Sequence, residues 1–73
     1  MRRLSPDNIH AAKRAGVRAR IATTWGIGEP RADRLLDEWE AEAERLGQER
    51  TDPTYWSEGD VWMRARVGRH HRG

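Results

Sequence analysis

Between residues 13 and 34 of this 73-residue chain stand six basic side chains: Lys13, Arg14, Arg18, Arg20, Arg31 and Arg34. The chemistry they offer is polyanion recognition, because guanidinium groups grip phosphate oxygens bidentately and also match the O6/N7 edge of guanine. At helical spacing Arg14 and Arg18 are one turn apart, and Arg31 and Arg34 are three residues apart, so each pair shares a helix face. A second set offers protein contact instead. Glu38 and Glu42 lie one turn apart in an acidic run, and Tyr55, Trp56 and Trp62 follow as an aromatic group of the kind that dominates interface hot spots.

The charge order frames both options. Residues 1–28 carry six basic side chains against one acid, residues 29–60 carry four against eleven, and residues 61–73 carry four against none. The basic flanks either form one face for a polyanion or fold back and neutralise the acidic middle.

Other chemistries lack their residues. There is no cysteine, which removes disulfides and thiolate metal sites. His10 stands alone, and His70 and His71 are adjacent with no carboxylate or cysteine at ligand spacing, so no metal or other cofactor is expected. Ser5 and Ser57 read as helix caps, and no P-loop or dinucleotide fingerprint occurs. A chain this short hardly walls off a water-excluding pocket. The expectation is a non-enzymatic protein.

The elements that must position these residues are helical. Ser5-Pro6-Asp7 is a start signal, with Ser5 as N-cap, Pro6 at N1 and Asp7 in the positive first turn. Gly16 then leaves two alternatives: the first helix ends there, or it continues to about Thr24. If continuous, it has two apolar faces, one of Ile9, Ala12, Gly16, Ala19 and Ala22 and one of Val17, Ile21 and Trp25, which suits packing on both sides. Gly26-Ile27-Gly28 is a turn. A long helix follows from Glu29 or Pro30 to Leu46, with Gly47 as its C-terminal cap and Leu35, Leu36, Trp39, Ala43 and Leu46 as its apolar seam. Asp52-Pro53-Thr54 opens a short turn that delivers Tyr55 and Trp56. Ser57-Glu58-Gly59-Asp60 resembles a capping box, and predicts a last helix from Glu58 to Val67 that stops at Gly68.

Residues 21–36, IATTWGIGEPRADRLL, place particular types where two helices cross closely. Ile21 and Ala22 precede Trp25, Gly26 permits a tight turn before Ile27, and Ala32 and Leu35 fall at buried spacing on the next helix. This segment resembles the helix-turn-helix of lac-repressor-type bacterial regulators, departing from it at Gly28 and Pro30 and in the small Ala32 at a core position. The resemblance implies that Arg31 and Arg34 face the major groove and that Lys13, Arg14, Arg18 and Arg20 approach the backbone.

The expected fold is all-α, with three to four helices, a helix-turn-helix-like core and a short C-terminal aromatic helix packed on it. Residues 1–68 should form one small domain and residues 69–73 a disordered basic tail. With 36% hydrophobic residues and a mean hydropathy of −1.05, the core has little margin, so a homodimer is a further expectation. The leading functional expectation is a DNA-binding or transcription-associated protein of bacterial or phage type whose partner is duplex DNA. The alternative is a protein-interaction module using Glu38, Glu42, Tyr55, Trp56 and Trp62 on a protein partner. Neither a signal-peptide h-region nor an apolar run of roughly 20 residues is seen, so a cytoplasmic location and no membrane partner are expected.

Overall fold

Three helices joined by two short links carry the chain: α1 (Pro6–Thr24), α2 (Glu29–Leu46) and α3 (Tyr55–His71). The structure is a computed structural model that describes the backbone of residues 6–71 and the side chains of residues 7–68. The fold is all-α, with no strand among the described residues and the aromatic segment in a C-terminal helix. Ser5, expected as the first N-cap, lies outside the described residues.

Helix α1 passes through Gly16 without a break. A glycine inside a helix costs about 0.5–1 kcal/mol relative to alanine. Packing of Val17 and Ile21 just beyond it offsets that cost, since tertiary burial rather than propensity holds most helices. The two-sided packing expected for α1 is not what forms. Ile21 is fully buried, whereas Ile9, Ala12, Gly16 and Ala19 all face outward. With only two other helices available, α2 covers one side of α1, α3 touches it at His10 and Arg20, and among the described residues the rest of that first face, apart from buried Ala22, is open.

At the α1–α2 turn the Trp25 amide donates to the Ile21 carbonyl (2.9 Å) and the Ile27 amide to that of Ala22 (3.2 Å). Gly26, at φ +64°, supplies the left-handed step that lets the chain leave the helix. Helix α2 then begins with no side-chain cap, and Pro30 in its first turn needs none because it lacks an amide proton. Its other end is a Schellman closure: Gly47 is left-handed, its amide donates to Glu44, and the Gln48 amide donates to Ala43.

Helix α3 starts three residues earlier than the capping-box pattern predicts. Asp52 accepts from both the amide and the hydroxyl of Thr54 (2.8 and 2.7 Å), and the Glu58 amide donates to the Thr54 carbonyl (2.8 Å). The expected short turn and last helix are therefore one element, with Ser57 inside its first turn and donating to the Thr54 carbonyl. The helix also runs past Gly68 to His71, so residues 69–71, expected as disordered tail, are helical, while residues 72–73 lie outside the described residues.

Helix α2 is the middle element, because it alone has a wide apolar stripe. Ala32, Leu35, Leu36, Trp39 and Ala43 are buried, meeting Ile21 and Ala22 of α1 and Tyr55, Met63 and Val67 of α3. Leu46, expected to close this seam, is instead 60% exposed, since the seam runs out where α3 begins. Trp39 fits against α3 only because residue 59 is glycine. A Cβ there would stand 2.4 Å from the indole nitrogen.

Candidate interaction surfaces

Helices α1 and α2 run antiparallel, so that side chains four residues apart on α1 meet acids spaced along α2. Arg14 binds three of them: Nη1 donates to Asp33 (2.7 Å), Nη2 to Asp37 (2.6 Å) and Nε to Glu40 (3.1 Å). One turn on, Arg18 lies 3.5 Å from Asp33 and 3.7 Å from Glu29. One turn back, His10 Nε2 is 2.6 Å from Glu40. Burial alone would lower the Arg14 pKa, but hydrogen bonds and charge from Asp33 and Glu40 together raise it. The bond from Arg14, with help from Arg18, holds the Asp33 carboxyl below the usual aspartate value.

His10 sits where all three helices meet. Its ring stacks on Trp56 (centroids 5.0 Å apart, planes at 26°) and meets the edge of Tyr55. Its Nε2 faces the Glu40 carboxylate, and its Nδ1 is buried with no hydrogen-bond partner among the described residues. From the sequence His10 reads only as a lone candidate metal ligand. The signal that could have found its role is spacing: 10, 14 and 18 on α1 face 40, 37 and 33 on α2. Among the described residues no cluster of His, Asp and Glu could hold a metal ion, and the His70 and His71 side chains lie outside them. None of the described helices is long and apolar enough to cross a membrane.

The six basic residues singled out from the sequence are divided among different surfaces. Arg14 and Arg18 are on the acidic face of α2, and Arg20 pairs with Asp60 of α3 at 2.9 Å. Lys13 lies beside Trp56 and Arg50 in a shallow cleft near the end of α1 where His10 sits. Arg31 and Arg34 have no ion-pair partner among the described residues. They line a cleft of about 420 Å³ with Leu35, Glu38 and Arg66. Arg66, which the sequence reading did not select, ties this cleft to α3 by pairing with Glu38 (2.9 Å) and lying over Trp62 (4.6 Å from the ring centroid).

The protein-contact set is likewise split. Glu42 is held by Arg45 of the next turn, whose hydrogen bonds lower its pKa. Tyr55 is core, 2% exposed, with burial first and the Glu40 charge second raising its phenol pKa. Trp56 and Trp62 are half-buried. Trp62, Trp39, Leu46 and Val61 line an apolar groove of about 550 Å³ between the end of α2 and the start of α3, with Ser57 and Glu58 on its rim. Like Leu46 of the expected seam, Val61 is largely in solvent, 71% exposed.

No family model matches this chain, and no curated protein or solved structure is significantly similar to it. Function must therefore be argued from these surfaces alone.

Proposed function

We propose that this chain is a small non-enzymatic protein-interaction module whose contact surface is the α2–α3 groove and the outer face of α3. The observation that carries the reading is the exposure of Val61 and Leu46, 71% and 60%, beside the half-buried ring of Trp62. Large aliphatic side chains next to an indole, ringed by Ser57 and Glu58, have the composition of an interface centre with a polar rim. The test is a photo-crosslinking residue placed at position 61 or 46 in the cells that make the protein. Discrete adducts from these positions and none from position 19, on the outward face of α1, are expected. Adducts from all three positions alike, or from none, would overturn the reading.

A second reading, duplex DNA binding, keeps one specific support: Arg31, Arg34 and Arg66 surround one cleft at the start of α2. The helix-turn-helix resemblance points to the same end of the molecule. Against it, Arg14, Arg18 and Arg20 already hold carboxylates. Affinity for duplex DNA that falls steeply with salt and is lost in the Arg31→Ala/Arg34→Ala variant would favour this reading. No binding at low salt would remove it.

A further inference from the structure

The outer face of α3 and the residue before it carry a pattern that contacts within the chain explain only at its start, where Thr54, Ser57 and Glu58 are hydrogen-bonded to one another. Thr54, Ser57, Glu58, Val61, Arg64, Ala65 and Gly68 are all exposed, and at 100° per residue they fall in one stripe centred on Val61. Around that centre the stripe is ordered. Glu58 lies three residues before Val61 and Arg64 three after; Ser57 and Ala65 lie four away, and Thr54 and Gly68 seven away. Glu58 accepts from the Thr54 hydroxyl (2.8 Å) but has no ion-pair partner among the described residues, and Arg64 has none either. A Cβ at Gly68 would meet open space, so this end of the stripe is uncovered.

We infer that this face binds a second copy of the same chain, α3 against α3, antiparallel about a two-fold axis through Val61. The inference rests on the interaction-module reading and names its partner. In an isologous contact the same patch must complement itself. With Val61 on the axis, Glu58 falls at the level of the partner copy's Arg64, and Arg64 at the level of its Glu58, so both unpaired charges find opposite sign twice over. The other levels match Ser57 with Ala65 and Thr54 with Gly68, all small, which lets the helices approach closely around the two valines. A parallel pairing would instead set Glu58 against Glu58 and Arg64 against Arg64, an arrangement the charges oppose. Exposed Leu46, on the groove wall beside Val61, extends the apolar centre of the contact.

Sedimentation equilibrium of the full chain, from micromolar to millimolar concentration, tests this. The wild type should reach dimer and not go further, because a two-fold contact closes on itself. Val61→Glu should remain monomeric at the same concentrations, with its far-UV circular dichroism unchanged because residue 61 supports no core contact. Glu58→Arg and Arg64→Glu should each weaken the dimer by about tenfold, by losing two ion pairs and setting like charges together. The double exchange, Glu58→Arg with Arg64→Glu, should restore wild-type affinity to within about threefold. A monomeric wild type, a Val61→Glu dimer, or a double exchange no better than either single change would each overturn the inference. If the wild type is monomeric while position 61 crosslinks to a different protein, the second-copy inference fails and the interaction reading stands. If position 61 crosslinks to nothing, the interaction reading itself fails.

Discussion

Arg14 of α1 and Asp33 of α2 lie 2.7 Å apart, nineteen positions apart in the chain, and their bond anchors the ladder that joins the two helices. The guanidinium is mostly covered and holds Asp37 and Glu40 as well. It therefore does more than a solvent-exposed pair, which contributes about 0–1 kcal/mol. Without it, three carboxylates along one face of α2 would lose their shared counter-charge.

Arg14→Met keeps much of the stem packing and removes the charge. It should destabilise the fold by about 1–3 kcal/mol, between the ranges for exposed and fully buried pairs. Arg14→Lys should recover only part of the loss, because an ammonium cannot span three carboxylates as the planar fork does. Urea midpoints at constant slope would measure both. An unchanged midpoint in Arg14→Met would show that the ladder contributes nothing to stability.

The same ladder sets the acid response. Asp33 is held below the ordinary value of 3.8 by its bond from Arg14. Asp52 is held below it by the hydroxyl and amide of Thr54. A folded pKa below the unfolded one gives stability that is fully present above the unfolded value and is lost as pH falls through the folded value. Stability should thus be flat from pH 7 to about 5 and fall below about pH 4. Asp33→Asn should start from a lower midpoint at pH 7 and lose less on acidification, a comparison chemical denaturation at pH 7 and pH 3 can make.

Tyr55 gives the opposite sign at the alkaline end. Burial and the Glu40 carboxylate raise its phenol pKa above 10.0, so its contribution is present below the unfolded value and is lost as pH rises through the folded one. It is the only tyrosine, so the pH-difference absorbance of phenolate reports it alone, since the four indoles do not titrate. The titration midpoint should lie above that of the urea-unfolded chain. Equal midpoints would place Tyr55 in water.

Two glycines should respond to alanine in opposite directions. At Gly16 a new Cβ meets nothing within 4 Å, so Gly16→Ala should stabilise α1 by about 0.5–1 kcal/mol. At Gly59 the Cβ would stand 2.4 Å from Trp39 Nε1, so Gly59→Ala should destabilise by about 1–3 kcal/mol despite its better helix propensity. Thermal melts of the two variants check the signs. A stabilised Gly59→Ala would mean that Trp39 does not pack against this turn.

Much of the fold could be read along the chain because its signals are local. Pro30 at the start of α2, Gly47 at its end, Gly26 in the turn and the stripe from Ala32 to Ala43 act through bonds within four or five residues of themselves. Helix identity and the all-α class were therefore legible, whereas the two apolar faces of α1 pointed to α1, not α2, as the helix packed on both sides. The start of α3 was harder, because the pattern at Ser57 competes with the one at Asp52-Pro53-Thr54. Burial of Tyr55 favours the earlier start.

What the sequence alone determined was the set of helices and the basic, acidic, basic order of charge. Which charges meet depended on the packing. The same arginines on α1 suit a free basic face and a face turned onto α2, since both leave every local hydrogen bond intact. Only the antiparallel placement of α1 on α2 brings Arg14 to Asp33 and His10 to Glu40. Likewise Leu46 and Val61 have core-like types at helical spacing, and only the limits of α2–α3 contact leave them in water. Local bonding settles the helices; the rotation of each helix about its axis settles what it meets, and that angle is a property of the packed whole.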